Sequence, residues 1–95
     1  MKENRFVIVR TNSAGVFAGY LESKKGKEVR LVKAIRLWYW KGAASLSQLA
    51  IEGVKYPEQC KFGVPVTVTL TEAIEILETT EIAKACIERV TPWRQ

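Results

Sequence analysis

Three strand-like segments, separated by two short clusters of turn-forming residues, fill the first forty residues and constrain the fold more than any other feature. The segments cover residues 5–10, 16–23 and 28–40, and each contains several β-branched or aromatic side chains. The clusters between them cover residues 11–15 and 24–27. In the second cluster, Gly26 can take the positive φ that a tight hairpin turn requires. Two consecutive hairpins predict an antiparallel meander.

The third segment is long enough to be either one strand or a pair of strands with a bend. Simple alternation divides its side chains between two faces. One face is apolar apart from Lys33 and carries Val29, Leu31, Ile35, Leu37 and Tyr39. The other face mixes basic and aromatic residues and carries Arg30, Val32, Ala34, Arg36, Trp38 and Trp40. A basic and aromatic face is unusual for plain solvent contact, so it is a candidate binding surface.

The second half of the chain combines helical and strand-like patterns. A short helix is predicted over residues 45–52 with Gly53 as its stop, followed by a strand over 60–70 that Pro65 confines to an edge or a bulge. Residues 72–78 favour a strand, and a helix over 81–90, capped by Thr79 or Thr80, then follows. The alternative is a single long helix from Thr71. Trp93 is expected to pack back onto the core.

These elements predict an α+β fold class. The expected architecture is a small curled antiparallel sheet, or a barrel-like meander, of about five strands with two short helices that cover an open edge or end. A chain of 95 residues forms one domain, here residues 1–95. Because so short a chain buries a limited core, self-association into a homo-oligomer is also expected.

The composition restricts the classes of function. The chain has no histidine and no aspartate, and its two cysteines, Cys60 and Cys86, have no C-x-x-C spacing. We therefore expect no enzyme activity, no metal site, no cofactor and no disulfide framework. Neither a signal peptide nor an apolar run of membrane-spanning length is evident, so we expect a cytoplasmic protein without membrane contact.

Positive charge is concentrated in the first two-thirds of the chain. Through Lys61 there are twelve lysines and arginines against five glutamates, whereas from Phe62 onwards there are three against five. This distribution favours an anionic partner, although it also serves solubility. Glutamates 72, 75 and 78 are spaced three apart, and a solvated face explains them better than a catalytic pair.

Residues 36–50 contain the densest group of candidate binding residues. Trp38 and Trp40 can stack on a base, and Arg36 can supply positive charge. Ser45, Ser47 and Gln48 lie at the start of the predicted helix, where free N–H groups favour a phosphate. The alternative is that the tryptophans anchor a core or an interface and that Ser45 is only the helix cap.

The loop after the first strand is a second candidate anion site. Arg10 ends the strand, and Ser13 lies in a polar loop that can form a backbone nest. Such a nest could converge on the helix start at Ser45, whereas the alternative is a simple turn. The predicted ligand-binding residues are therefore Arg10, Ser13, Arg36, Trp38, Trp40, Ser45, Ser47 and Gln48.

Three stretches of the chain together resemble a family of short bacteriophage and prophage proteins of unknown function. The pattern is RTxSAGVxAG in residues 10–19, LWYWxGAASLSQLAxEGV in residues 37–54 and CKF in residues 60–62. The resemblance covers roughly residues 6–90. It implies a phage accessory factor, such as an inhibitor of host defence, a binder of a host protein, or a protein that sequesters a nucleotide second messenger. It assigns no role to any residue.

Three functions follow as hypotheses. The first is a non-enzymatic protein that binds or sequesters a small anionic nucleotide-like signalling molecule in the host cytoplasm and so counters host defence. The second is a small β-barrel that binds single-stranded nucleic acid through Arg30, Lys33, Arg36, Trp38 and Lys41. The third is an interaction module that inhibits a host protein through its aromatic surface.

Overall fold

A computed structural model describes residues 5–43 and 45–92, and within them one antiparallel sheet carries two helices on one face. The expected packing of Trp93 concerns a residue outside this part. In the described residues, the strands are β1 Phe6–Thr11, β2 Val16–Lys25, β3 Glu28–Tyr39, β4 Lys61–Phe62, β5 Val66–Leu70 and β6 Ala73–Glu78. The helices are α1 Leu46–Glu52 and α2 Glu81–Arg89, and a 3-10 turn covers Pro57–Gln59. The predicted α+β class with a curled antiparallel sheet is confirmed.

The strand order is β6-β1-β2-β3, and both β5 and β4 pair with the far edge of β3. β5 pairs with the first half of β3, where Leu70 lies opposite Val29. β4 pairs with the last residues of β3, where Phe62 lies opposite Leu37. The sheet does not close into a barrel. The two predicted hairpins form the centre of the sheet, with Gly26 at φ 60° in the second turn.

The strand predicted over residues 60–70 is two strands in the structure, which raises the predicted five strands to six. The chain leaves the sheet between Gly63 and Pro65, because proline has no N–H to donate to a strand ladder. The N–H of Gly63 still donates to the carbonyl oxygen of Arg36 at 2.8 Å. Residues 73–78 form a strand, so the alternative of a single helix from Thr71 is wrong, and Thr80 caps α2.

A β-bulge at Lys33 changes the two faces predicted for the third strand. Tyr20 lies opposite Val32 and Ala18 lies opposite Ile35, so β3 contains one residue more than β2 in this interval. Lys33 takes φ 51°, the one positive value among the described non-glycine residues. Because an extra residue reverses the alternation, the predicted faces hold only up to the bulge. Val29 and Leu31 therefore share a face with Ala34 and not with Ile35.

Two apolar cores lie on opposite faces of the sheet, and β1 is buried between them. The helix core, under α1 and α2, contains Phe6, Ile8, Ala18, Ile35, Leu37, Leu49, Ala50, Val54, Cys60, Phe62, Cys86, Ile87 and Val90. The strand core, inside the curl of the sheet, contains Val7, Val9, Phe17, Val29, Leu31, Ala34 and Leu70. The apolar run predicted to be a buried strand at residues 5–10 thus contributes to both cores.

The sheet curls because the long β2–β3 hairpin folds over the strand core. At its tip, the carbonyl oxygen of Lys27 accepts a hydrogen bond of 3.0 Å from the N–H of Ala73, the first residue of β6. Only Thr71 and Glu72 connect β5 to β6, although these strands lie at opposite ends of the strand order. The helices in the described residues are too short and too polar to span a membrane.

Helices α1 and α2 are joined to each other at a close contact. Gly53 ends α1 at φ 77°, and a Cβ built there would lie 2.6 Å from the Cβ of Cys86 in α2. The Cys86 thiol accepts a hydrogen bond from the N–H of Val54 and donates one to its carbonyl oxygen, at 3.3 and 3.2 Å. A side chain at position 53 would therefore separate the helices.

Candidate ligand-binding site

Arg36 and Trp38 lie at the open end of the strand core, on the face that the bulge assigns to them. The guanidinium carbon of Arg36 is 4.6 Å from the centroid of the Phe17 ring and 5.0 Å from that of the Trp38 ring. Phe17 is fully buried, whereas Trp38 is 57% exposed. The guanidinium therefore links a rigid core residue to an exposed indole through two cation–π contacts.

Arg36 differs from the other arginines of the sheet in having no carboxylate partner among the described residues. Arg5, Arg10 and Arg30 each form an ion pair, with Glu78, Glu75 and Glu22 respectively. Two aromatic rings do not neutralise the charge of Arg36. A half-buried guanidinium that has no carboxylate partner in the described part of the chain, beside an exposed aromatic ring, favours a ligand that has both an anionic group and a flat apolar part.

The position of Trp38 is restricted on two sides. Arg36 lies over one part of the indole, and a Cβ built at Gly63 would lie 3.7 Å from its Nε1. The Gly63 backbone is itself attached to β3 by the hydrogen bond to Arg36. Because the contact with Arg36 orients the ring before any ligand arrives, part of the side-chain ordering precedes binding. We call Phe17, Arg36, Trp38 and Gly63 the tryptophan platform.

Arg10 and Ser13 contact glutamates. The Nε of Arg10 donates to Oε1 of Glu75 at 2.9 Å, and the hydroxyl of Ser13 donates to Oε1 of Glu72 at 2.9 Å. The loop also satisfies its own groups, since Thr11 Oγ1 accepts a hydrogen bond from the N–H of Ala14 and donates one to the carbonyl oxygen of Gly15. The nest predicted here is therefore occupied by internal hydrogen bonds and bordered by negative charge.

Trp40, Ser45, Ser47 and Gln48 lie at the helix core. Trp40 is half-buried against that core. Ser45 caps α1, with its hydroxyl oxygen accepting from the N–H of Gln48 at 3.2 Å, and the Gln48 side chain donates to Glu52 at 3.3 Å. Ser47 is exposed. The structure thus brings Arg36 and Trp38 together beside the strand core and brings Ser45 and Gln48 together at the start of α1, so the two groups are separate.

A shallow groove of about 230 Å³ passes beside Gln48 and is lined also by Gly42, Glu52, Gly53, Val54 and Lys55. Helix α1 has only seven residues, and its cap already binds one of the first N–H groups. The groove has one lysine and one glutamate in its wall, so their charges offset each other. It offers less to an anionic ligand than the tryptophan platform does.

The thiols of Cys60 and Cys86 are used in structural contacts. The Cys60 thiol accepts from the N–H of Lys41 at 3.4 Å and donates to the carbonyl oxygen of Tyr56, and burial raises its pKa. A raised pKa keeps this sulfur a protonated, weakly nucleophilic thiol. Within the described residues, no three metal-binding side chains are close enough to hold an ion.

Phe17 and Gly63 belong to the platform, although the sequence did not indicate them as site residues. Phe17 could have been found from the hairpin turn. Counting the same number of residues from Lys25 back along β2 and from Glu28 forward along β3 places Phe17 opposite Arg36. This count succeeds because a bulge on β2 near Glu22 offsets the bulge on β3. Nothing in the sequence shows the approach of Gly63, because it depends on the break after β4.

Comparison with known protein families finds a match over most of the chain. The family model described as "Domain of unknown function (DUF6948)" matches residues 4–87. No curated protein and no solved structure matches the chain. The match covers the strand core, the helix core apart from Val90, the tryptophan platform and most of α2. The chain therefore belongs to the family defined by DUF6948, a domain of unknown function.

Proposed function

We propose that this protein is a non-enzymatic binding protein for a small anionic nucleotide, with the tryptophan platform as its binding site. The observation that supports this most directly is the guanidinium of Arg36, which contacts Phe17 and Trp38 and has no carboxylate partner in the described residues. In this proposal the base stacks on the exposed part of Trp38, and a phosphate oxygen accepts hydrogen bonds from Arg36.

The bulge at Lys33 favours a small nucleotide as the ligand over a long single-stranded nucleic acid. Arg30 lies before Lys33 and Arg36 lies after it, so these two arginines point to opposite faces of β3. Arg30 is also paired with Glu22. The continuous basic row that would follow a nucleic-acid backbone is therefore interrupted. A mononucleotide or a cyclic dinucleotide requires only the local charge at Arg36.

The biological part of the proposal is that binding sequesters a nucleotide-like signal in the host cytoplasm and so counters host defence. Its support is the resemblance to short phage proteins and the use of the cysteines and of glutamates 72, 75 and 78 in structural contacts. A protein that only sequesters its ligand needs a binding surface and no reacting groups. The same surface would serve the alternative of docking on a host protein, which the test below distinguishes.

The test is isothermal titration calorimetry with a panel of mononucleotides, cyclic dinucleotides, cyclic ADP-ribose isomers and one short single-stranded oligonucleotide. We expect one small nucleotide to bind, and we expect Trp38→Ala to weaken it by about 1–3 kcal/mol through loss of stacking. Arg36→Ala removes a charge-assisted hydrogen bond, so a loss of roughly 1.5–3 kcal/mol is expected.

Two neighbouring residues provide matched controls. Tyr39 is 49% exposed, and among the described residues its ring has no contact with Arg36 or Phe17, so Tyr39→Ala should leave the affinity unchanged. Arg30→Ala removes an arginine from the same strand as Arg36, on the opposite face, and should also have no effect. Equal losses in Tyr39→Ala and Trp38→Ala would remove the platform from the proposal. Binding of the oligonucleotide alone would support the nucleic-acid function. If no compound of the panel binds, docking on a host protein becomes the favoured function.

A further inference from the structure

We infer that two copies of this chain associate through the outer edge of β6, with the two β6 strands antiparallel across a two-fold axis. This inference is independent of the tryptophan platform, which lies on β2 and β3, towards the opposite edge of the sheet. It is based on the hydrogen-bonding groups of the β6 edge, on its exposed isoleucines and on the opposite charges at its two ends.

The edge of β6 has hydrogen-bonding capacity that the described part of the chain does not use. The N–H of Ala73 points away from β1, because it donates to Lys27 of the β2–β3 hairpin. A one-residue bulge at Ile74 separates Ala73 from the rest of the ladder, in which Glu75 and Leu77 form the hydrogen-bonded pairs with Arg10 and Ile8. The N–H and C=O groups of Ile76 and Glu78 therefore point away from β1. Among the described residues, the backbone of residues 74–78 bonds to β1 and to no other strand.

β6 has few of the features that natural proteins use to prevent edge pairing, and its one β-bulge lies at Ile74, next to its start. Its sequence, AIEILE, has no proline or lysine. Glu75 and Glu78 are neutralised by Arg10 and Arg5, so a second β6 strand would meet little like-charge repulsion. The opposite edge of the sheet is different, because Pro65 and the break at Gly63 divide it into the short strands β4 and β5.

The two ends of β6 are complementary in charge. At its start lies the hairpin tip, where the exposed lysines 24, 25 and 27 outnumber the exposed Glu28 and Glu72. At its end, the N–H of Thr80 donates to the carbonyl oxygen of Ala50, which places the end of α1 and the start of α2 there. These helix ends carry the exposed carboxylates of Glu52 and Glu81. Antiparallel pairing brings the basic end of each copy to the acidic end of the other, twice.

Exposed apolar side chains follow the same arrangement. Ile51 and Ile82 are 57% and 73% exposed, and both lie near Thr80, whose hydroxyl donates to the carbonyl oxygen of Ile51. At the start of β6, a groove of about 300 Å³ is lined by Lys24, Gly26, Ala73, Ile74, Glu75 and Ile76. Antiparallel pairing places the isoleucines of one copy beside the groove of the other. Such a contact is self-complementary, as a two-fold interface requires.

The test is the molar mass in solution, measured by light scattering and sedimentation over a wide range of concentrations of the full chain. We expect a dimer that dissociates on dilution. Ile74→Lys places a charge in the interface and should raise the dimer dissociation constant roughly tenfold or more. Val66→Lys is the matched control, because Val66 is 47% exposed on the opposite edge strand and Ile74 is 50% exposed. It should leave the dimer intact.

A charge exchange distinguishes the proposed orientation from other dimers. Lys24→Glu with Lys25→Glu, and separately Glu52→Lys with Glu81→Lys, should each weaken the dimer. The chain that carries all four changes should recover it, because the ends of β6 are again opposite in charge. All six residues that the variants change are exposed, and circular dichroism confirms that each variant is folded. A monomer at every concentration, or a dimer that Val66→Lys weakens and Ile74→Lys does not, would overturn the inference.

Discussion

The helix core and the strand core share β1 but are closed in different ways. The helix core is covered by α1 and α2, which are held together by the approach of Gly53 to Cys86. The strand core has no helix over it and is enclosed by the curl of the β2–β3 hairpin towards β6. At one end of the strand core the cover is incomplete, and there Phe17 meets Arg36 and the exposed Trp38.

This difference assigns separate roles to the two cores. Contacts in the helix core connect elements that are distant in the sequence, and we expect them to contribute to stability alone. The strand core contributes to stability and also holds the proposed binding residues in position. A substitution in either core should destabilise the protein, but only one in the strand core should alter ligand binding as well.

The largest effect is expected from truncating the buried phenylalanine of each core. Phe17 and Phe62 are both 1% exposed, so Phe17→Ala and Phe62→Ala should each lower the free energy of unfolding by about 3–5 kcal/mol. Chemical denaturation measures this loss. In folded protein, only Phe17→Ala should also weaken nucleotide binding, because it removes the ring beneath Arg36.

Milder variants keep this comparison usable if an alanine variant does not fold. Phe17→Leu and Phe62→Leu retain an apolar side chain and should each cost less than the corresponding alanine variant. The leucine at position 17 should still weaken binding, since an aliphatic side chain provides no cation–π contact to the guanidinium. Equal affinities in the two leucine variants would contradict the separate roles of the cores.

An intermediate effect is expected where the helix core is most tightly packed. Gly53→Ala combines a backbone conformation of φ 77° and ψ −153° with a Cβ that would lie 2.6 Å from that of Cys86. We expect a loss of roughly 2 kcal/mol or more in the free energy of unfolding. Gly26→Ala is the control, because Gly26 also has a positive φ but has nothing within 4 Å of an added Cβ. It should cost about 1 kcal/mol, and equal losses would show that the helix contact is not tight.

The smallest effect is a pH dependence at the edge of the helix core. The Tyr20 hydroxyl donates to Glu88 of α2 at 2.6 Å, and burial, followed by this hydrogen bond, raises the pKa of Tyr20 above its ordinary 10.0. Lys84 Nζ lies 5.2 Å from the centre of the same ring, and its pKa is raised chiefly by the charge of Tyr20. For both groups the folded form binds its proton more tightly than the unfolded form does.

The stability contributed by Tyr20 is therefore complete below pH 10.0 and is lost as the pH rises through the higher pKa of the folded protein. Urea midpoints measured on both sides of this pH should decrease less in Tyr20→Phe than in the unchanged protein. The measurement also separates the cores, because Phe17 variants should keep the full pH dependence. Identical pH profiles for the unchanged protein and Tyr20→Phe would contradict the assignment.

Local signals in the sequence were sufficient for most elements of the fold. Turn-forming residues around Gly26, the cap at Ser45 and the stop at Gly53 indicated the second hairpin and α1 close to their observed bounds. The strand over residues 73–78 was also predicted. The bulge at Lys33 was not, because nothing local marks it: lysine has no preference for a positive φ, and the extra residue is needed only to satisfy two cores at once.

The candidate site was predictable only where its residues are neighbours in one strand. Arg36 and Trp38 are two residues apart in one strand, so alternation alone places them side by side. Trp40, Ser45, Ser47 and Gln48 follow closely in the sequence, but the chain turns towards the helix core after β3. The partners of Arg10 and Ser13 are glutamates more than fifty residues away, and their pairing depends on the strand order.

The extra residue at Lys33 limits how the length of this chain can vary among family members. Removing it, or adding another beside it, would turn Ile35 and Leu37 out of the helix core and direct Arg36 into it. Burial of an unpaired guanidinium there would be too costly for a small domain. Insertions and deletions within β3 should therefore occur in pairs of residues or be absent, even where the side chains of the binding face have diverged.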